Sequence, residues 1–310
     1  MNTNFYTSYR ALIESTVVPH TQFSDTSDAL EELFLESMTP SKPEGLSLIG
    51  PPGVGKTASL ADFANKHLRY ETPEATIVPV LSFALPANAT TKNIYQAALY
   101  ALRGTLDSGA DGTLFFQLIA LLKNCGVKTV VIDEAQHLVM HGKEKTLKRA
   151  AAGLKTIMDK AKVNMVLTGT PAAQDLLNGS DELARRFSTN IILREWEPDD
   201  NDDINDVAGV MKKLLMTPGL NVEFDDLMNA AFVSRLIYGS GGRIAYISKL
   251  FAGAVKLAKE DNRNIITQSD FEKVFVKKVW YSSRPKTNPF SEKFEMRKLD
   301  RPTEPFWTRS

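Results

Sequence analysis

The run LSLIGPPGVGKT, residues 46–57, joins a short apolar segment directly to the pattern G-x-x-x-x-G-K-[ST]. Leu46 to Ile49 is predicted to be a buried strand, and residues 58–68, ASLADFANKHL, a helix. A strand, a glycine-rich loop and a helix in this order form the context that the pattern requires. Pattern and context together favour a phosphate-binding loop over a chance glycine turn.

The residue types of this loop suit a nucleoside triphosphate with magnesium. Glycines let backbone N–H groups approach phosphate oxygens without a Cβ clash, and a helix N-terminus presents its positive end to the same anion. Lys56 is predicted to reach the β- and γ-phosphates, and the Thr57 hydroxyl to bind Mg²⁺. The predicted ATP-binding residues of the loop are Gly50, Pro51, Pro52, Gly53, Val54, Gly55, Lys56, Thr57 and Ala58.

The largely apolar segment KTVVID, residues 128–133, ends in Asp133 and is followed directly by Glu134. Asp133 is predicted to hold Mg²⁺, and Glu134 to act as the general base that polarises a water for attack on the γ-phosphate. The alternatives are that both acids are surface charges at a strand end, or that Glu134 acts as a switch rather than a strong base. Together with the loop, this pair predicts an ATPase (ATP + H2O to ADP + phosphate).

Strands and helices alternate on both sides of the loop. Apolar strands separated by helices predict an α/β fold with a parallel sheet between two helical layers. The predicted strands are 46–49, 76–83, 128–133, 163–168 and 190–194, and the predicted helices are 58–68, 91–103, 113–124 and 144–161.

Composition shifts divide the chain into four predicted segments. The acidic stretch EWEPDDNDDINDV, which has no basic residue, suggests a linker after the last strand. The predicted segments are an N-terminal helical extension (1–40), the α/β nucleotide-binding domain (41–198), a small helical lid domain (203–280) and an extended tail (281–310).

Bulk composition limits the classes of partner. Lysine plus arginine and aspartate plus glutamate both number 37, so a globally basic DNA-binding protein is excluded and any nucleic-acid contact must be local. No apolar run has the length of a membrane span or a signal peptide. The single cysteine, Cys125, cannot form an internal disulfide, which is consistent with a cytoplasmic location.

At these motifs the chain resembles the AAA+ ATPases, and three further positions fit that family. The resemblance implies a γ-phosphate sensor at Thr170, with Thr168 as second choice, after the strand VNMVLT. It implies an arginine finger at Arg186 in LARRF, with Arg185 as the alternative, donated to the ATP of a neighbouring subunit. It also implies that Arg243 in GGR contacts the nucleotide from the lid. An arginine finger in turn implies a homo-oligomer, whereas an internal ion pair of that arginine would not.

The boxes DEAQHL, GTP, ARRF and GGR narrow the resemblance to the TniB/TnsC group of transposition regulators, over roughly residues 10–280. That resemblance implies assembly on duplex DNA as a ring or helical filament that links a target-selector protein to a transposase, with ATP hydrolysis driving disassembly. It places sequence-independent DNA backbone contacts at Thr91 and Lys92, although an ordinary capped helix start fits the same residues.

Two other interpretations remain open at this level. One is a helicase loader or replication-initiation ATPase, which shares all of these sequence motifs. The other is a structural filament that binds ATP but hardly hydrolyses it. The tail is basic, and aromatic residues near its end are suited to capture by a partner protein, for which the resemblance suggests the transposase. These aromatics are Phe290, Phe294, Phe306 and Trp307.

Overall fold

The computed structural model describes residues 11–13, 16–39, 41–105, 108–139, 144–224 and 229–308. The chain divides into two compact units. One consists of residues 22–52 and 56–193 and contains the large sheet. The other consists of the described residues up to Thr21, of Gly53–Gly55, and of the chain from Arg194 onward.

A five-stranded parallel sheet forms the centre of the first unit, in the order β4-β5-β6-β1-β7. The strands in chain order are β1 (Gly45–Ile49), β2 (Tyr70–Glu71), β3 (Thr76–Ile77), β4 (Val80–Ala84), β5 (Thr129–Asp133), β6 (Asn164–Gly169) and β7 (Thr189–Ile192). All residues of β1 and β6 are buried, as expected for parallel strands covered on both faces. The predicted three-layer α/β architecture is confirmed.

Helices flank this sheet. Their bounds are α1 (Thr21–Glu36), α2 (Lys56–Lys66), α3 (Thr91–Arg103), α4 (Asp111–Asn124), α5 (Glu144–Ala161), α6 (Gln174–Asn178) and α7 (Asp181–Ala184). The buried amide of Asn164 at the start of β6 donates to Leu33 O of α1 (2.7 Å) and accepts from the Glu44 N–H (2.9 Å). The bond to Leu33 O ties α1 to the sheet, and both bonds satisfy an amide that would be costly to bury without partners.

The predicted strand 76–83 is two strands in the structure. Thr76–Ile77 pairs antiparallel with β2, and Val80–Ala84 joins the large sheet next to β5. Pro79 lies between them and has no N–H to donate to a sheet ladder. The apolar pattern alone did not show this division.

The second unit is mainly helical. It contains α8 (Asn201–Leu215), α9 (Ala230–Ser240), α10 (Ile244–Glu260) and α11 (Gln268–Lys278), with the short parallel pair β8 (Glu223–Phe224) and β9 (Ile265–Ile266). The side chain of Asp200 caps α8 by accepting from the N–H groups of Asp202 and Asp203 (2.9 and 3.1 Å). The acidic stretch therefore starts a helix rather than forming only a linker.

The last thirty residues differ from the prediction of an extended tail with accessible aromatic rings. Beyond a 3-10 turn at Pro285–Thr287 the described part of this segment is irregular, but three of its phenylalanines are buried in the core of the helical unit. These are Phe290, Phe294 and Phe306. Two other aromatic residues of the segment, Tyr281 (85 % exposed) and Trp307 (40 % exposed), keep substantial accessible surface. Burial of these apolar side chains stabilises the packed position of the segment, although its sequence has little periodicity.

We expect Phe290→Ala to destabilise the helical unit by about 3–5 kcal/mol, because the ring is fully buried and its loss leaves a cavity. Phe290 packs against the rings of Phe232, Phe271 and Phe275, and a Cβ added at Gly239 would lie 2.8 Å from its ring. Denaturant unfolding measures the loss. Phe116, which is 72 % exposed, gives the matched control, and Phe116→Ala should change stability by no more than about 0.5 kcal/mol. Equal effects of the two changes would contradict the packing of the tail.

No helix among the described residues combines the length and apolar character that a bilayer crossing requires.

Candidate functional site

The glycine-rich loop leaves β1 at Ile49 and enters α2 at Lys56. Gly53 and Gly55 have φ values of +86° and +107°, which a residue with a Cβ rarely adopts, so both positions require glycine. The Gly50 N–H donates to Gly169 O at the end of β6 (3.1 Å). The Lys56 ammonium donates to Gly50 O (2.7 Å) and Pro51 O (2.9 Å). The loop thus has the backbone geometry that its pattern predicts.

Asp133 lies at the end of β5, beside the first turn of α2. The Thr57 hydroxyl donates to Asp133 Oδ2 (3.3 Å), and the Glu134 N–H donates to Asp133 Oδ1 (2.8 Å). Burial raises the pKa of Asp133 and the nearby Glu134 carboxylate raises it further, while these two hydrogen bonds and the charge of Lys56 lower it. Because its neighbours balance the negative charge of Asp133 only in part, this carboxylate favours a nearby cation.

The oxygen donors of Thr57 and Asp133 fit a hard cation such as Mg²⁺. Across the described parts of the chain, no cluster of three or more His, Cys, Asp or Glu side chains is arranged to hold a metal by itself. A magnesium ion at this place would therefore take its other ligands from phosphate and water, which is how Mg²⁺ commonly binds beside a nucleotide.

Glu134 adopts a left-handed backbone conformation, φ 60° and ψ 37°, directly before the 3-10 turn Ala135–Leu138. For a residue with a Cβ this conformation is uncommon and is concentrated at functional positions. Its carboxylate accepts a hydrogen bond from Gln136 Nε2. The side chain of Glu134 is therefore fixed both by its backbone and by a neighbouring amide.

The two sensor candidates at the end of β6 differ in burial. Thr168 is fully buried, and its hydroxyl has no hydrogen-bond partner among the described residues. Thr170 follows the last strand residue, is partly exposed, and donates its backbone N–H to Gln136 Oε1 (3.1 Å). Accessibility favours Thr170 over Thr168 for a contact with a ligand, and the sensor role itself stays a prediction.

The two arginines that follow α7, Arg186 as the predicted finger and Arg185 as the alternative, have different surroundings, and the finger role itself stays a prediction. Arg186 donates to Asp159 Oδ1 (2.7 Å) and to Pro43 O (3.2 Å), so its guanidinium is held inside its own subunit. Arg185 is exposed. An arginine donated to a neighbouring subunit has to be accessible, and Arg185 is therefore the better candidate.

Arg243 lies at the N-terminus of α10, within the helical unit. Its guanidinium donates twice to Glu195 Oε1 (3.3 and 3.2 Å) and lies 5.8 Å from the centre of the Phe306 ring. The two preceding glycines have positive φ, and a Cβ on Gly242 would lie 2.2 Å from Trp196 O. The GGR sequence thus gives the backbone the shape that presents Arg243 here.

The predicted DNA contacts separate into one buried and one accessible residue. Thr91 is only 9 % exposed, and a Cβ added at Gly153 of α5 would lie 2.9 Å from its methyl group, so Thr91 packs closely against α5 and its role as a DNA contact stays a prediction. Lys92 is partly exposed. Arg149 of α5, which the sequence interpretation missed, is exposed and lines an open groove of about 340 Å³ with Thr91 and Tyr95. Only the fold brings α3 and α5 together.

Comparison with known proteins gives the family. The family profile described as "Bacterial TniB protein" matches residues 9–198, which is more than half of the chain. The chain belongs to the TniB family. This confirms the resemblance stated from the motifs, and the matched range includes the loop, Asp133, Glu134 and both arginines after α7.

Solved structures similar to this TniB-family protein share its fold. The Cdc6p structure from Pyrobaculum aerophilum has a TM-score of 0.64 at 14 % identity, covering 89 % of this chain and 72 % of that one. The Aeropyrum pernix ORC1 protein, in complex with DNA, has a TM-score of 0.60 at 13 % identity, covering 87 % and 69 %. The fold of this TniB-family chain is thus the AAA+ fold.

A curated relative, the chaperone protein ClpB of Enterococcus faecalis, is 27 % identical over 194 residues. The match covers 60 % of this TniB-family chain and spans 20 % of the length of ClpB.

Proposed function

We propose that this protein is an ATP-dependent regulator of DNA transposition. In this proposal, ATP-bound subunits assemble on duplex DNA as a ring or helical filament, connect a target-selector protein to a transposase, and leave the DNA after hydrolysis. One observation carries the ATPase part of the proposal. Lys56 and Thr57 begin α2, Asp133 ends β5 and is followed by Glu134, and a hydrogen bond between Thr57 and Asp133 joins the two elements. Membership of the TniB family supports the role in transposition.

Four residues of the chain would have separate roles in ATP hydrolysis. Thr57 and Asp133 would hold Mg²⁺, which supplies charge neutralisation at the β- and γ-phosphate oxygens when bound. Lys56, which is hydrogen-bonded to loop carbonyls of Gly50 and Pro51, would exchange these partners for phosphate oxygens. Glu134 would accept a proton from the water that attacks the γ-phosphate.

Two arginines would link this site to its surroundings. Arg185, exposed beside α7, is proposed as the finger that neutralises charge on the ATP of the adjacent subunit. Arg243 is proposed to respond to the nucleotide from the helical unit, in exchange for its bond to Glu195. An arginine that acts only on a neighbour makes assembly a condition for rapid turnover.

Lys92 and Arg149 are proposed to contact the DNA backbone. Lysine and arginine bind phosphates without reading the base sequence, and an oligomer repeats each contact once per subunit. The similar ORC1 protein of Aeropyrum pernix was solved in complex with DNA, which supports a nucleic-acid role for this fold without fixing the residues.

We expect Lys92→Ala and Arg149→Ala each to weaken duplex binding for all sequences alike and to reduce the salt dependence of binding by about one counterion per contact. Fluorescence anisotropy with labelled duplex in ATP, at several salt concentrations, measures both quantities. Lys66→Ala is the matched control, because Lys66 is occupied by Asp62 (3.0 Å) on α2. An unchanged salt slope in both variants would remove these two residues from the interface.

A replication initiator or helicase loader is the second candidate function. It is supported by the similarity to Cdc6p and ORC structures, which covers most of this chain. The two functions predict different partners on DNA. Capture of the transposase by the ATP-bound chain on duplex DNA supports the transposition role, whereas capture of a replicative helicase under the same conditions supports the second.

A further inference from the structure

One side chain connects the proposed base to the loop that carries the proposed γ-phosphate sensor. Gln136, in the 3-10 turn after β5, is 5 % exposed. Its Nε2 donates to Glu134 Oε2, and its Oε1 accepts the backbone N–H of Thr170 (3.1 Å). Both ends of the amide are therefore occupied, one by the carboxylate and the other by the backbone just beyond β6.

The absence of a side chain at Gly169 leaves room for Gln136 in this position. A Cβ added to Gly169 would lie 2.3 Å from Gln136 Oε1 and 3.0 Å from the Ala173 Cβ. The φ of Gly169 is not in the left-handed region, so the backbone conformation does not itself require glycine there. A methyl group there would instead collide with the Gln136 amide and crowd the Ala173 methyl group.

We propose that Gln136 is a positioning residue for ATP hydrolysis. It holds the Glu134 carboxylate at a fixed position relative to the loop that contains Thr170. This inference rests on the proposed role of Glu134 as the base. A carboxylate on a flexible side chain has several rotamers, and a positional error of about 1 Å at a reacting group can cost about 100-fold in rate. The amide restricts that freedom, and it transmits any displacement of the Thr170 loop to the base.

A glutamine meets both demands at this position. The site needs a donor towards a carboxylate and an acceptor towards a backbone N–H, and the terminal amide of glutamine supplies both. Methionine keeps the length and volume but forms neither bond. Glutamate keeps the acceptor for Thr170 and places a second carboxylate against Glu134, which repels it. These two replacements therefore separate hydrogen bonding from packing.

The test compares Gln136→Met and Gln136→Glu with the wild-type chain in steady-state ATP hydrolysis on duplex DNA. We expect kcat to fall about 10- to 100-fold in both variants, which is less than the roughly 100- to 10,000-fold supplied by a positioned base itself. KM for ATP and the affinity for ADP should stay within about twofold, because Gln136 has no hydrogen bond to the glycine-rich loop among those of the described residues.

The coupling to Glu134 is tested in the Glu134→Gln background. If Gln136 acts through Glu134, adding Gln136→Met there lowers the residual rate by less than twofold, since residues that act as one unit are not additive. Gly169→Ala offers an independent route, because the added methyl group displaces the Gln136 amide; it should lower kcat in the wild-type chain and have less effect on a Gln136→Ala chain. Thermal unfolding of each variant shows that it is folded.

Wild-type turnover in Gln136→Met, with Glu134→Gln inactive, would overturn this inference and leave the proposed ATPase function intact. A rise in KM that accounts for the whole loss would also overturn it, because it would indicate a change in binding rather than in positioning. Wild-type turnover in Glu134→Gln would instead assign the base to another group and remove the premise of this inference, whereas absence of ATP turnover by the wild-type chain on duplex DNA would contradict the proposed function.

Discussion

Replacing Arg185 by alanine is expected to lower ATP turnover on duplex DNA by about 1,000-fold or more, the effect typical of a lost arginine finger. The reason is that a fixed guanidinium neutralises charge that develops on the γ-phosphate in the transition state. Arg185 is the accessible member of the pair, while Arg186 is held by Asp159 and Pro43. ATP affinity should be retained, because the glycine-rich loop of the mutated subunit is unchanged.

Arg186→Ala is the matched comparison and should act on stability instead. Its loss leaves the partly buried Asp159 carboxylate and Pro43 O without this donor, at a cost of about 1.5–3 kcal/mol. Turnover per folded subunit should remain near that of the wild-type chain. If Arg186→Ala abolished turnover in a stably folded oligomer and Arg185→Ala did not, the assignment would have to be reversed.

Mixing subunits tests whether Arg185 acts across a boundary. An Arg185→Ala subunit has an intact phosphate loop, and a Lys56→Ala subunit has an intact arginine. Each alone should be inactive, but in mixed oligomers some Lys56→Ala subunits supply Arg185 to the sites of Arg185→Ala neighbours. Recovery of turnover on mixing supports the proposed role, and no recovery despite co-assembly would show that Arg185 serves its own subunit.

Glu134→Gln is expected to reduce turnover by about 100- to 10,000-fold, because an amide of the same length cannot accept the proton of the attacking water. ATP and magnesium binding should persist, since Lys56, Thr57 and Asp133 are unchanged. Assemblies on DNA should therefore last longer than those of the wild-type chain in ATP. Phosphate release measures the first effect and dissociation from immobilised duplex the second.

Glu71→Gln, at an exposed position of β2, is the control for a neutralised glutamate and should change neither quantity. Loss of ATP binding in Glu134→Gln would show a structural role for this residue. Unchanged turnover would assign the base to another group.

The parts of the site that lie close together in sequence could be predicted. The loop from Gly50 to Thr57 contains its own backbone requirements, and Asp133 directly ends an apolar strand, so their places in the fold follow from local pattern. Parallel strands end at one edge of a sheet, which brings the loop and Asp133 together.

Features that depend on distant residues could not be predicted. The choice between Arg185 and Arg186 depends on Asp159, on another helix, and the burial of Thr91 depends on the absence of a side chain at Gly153. The aromatic residues of the tail appeared accessible because their partners, among them Phe232 and Phe271, lie in helices that precede them. The periodicity of a sequence indicates which face of a helix or strand is buried, but it does not indicate how an irregular segment packs.

Electron microscopy of the chain on duplex DNA, compared in ATP, in ADP and without nucleotide, tests the central claim most directly. The account predicts closed or helical assemblies of many subunits on DNA in ATP, their accumulation with Glu134→Gln, and dispersed subunits in ADP. It would be contradicted by single subunits in all three conditions, or by the same assemblies whichever nucleotide is present.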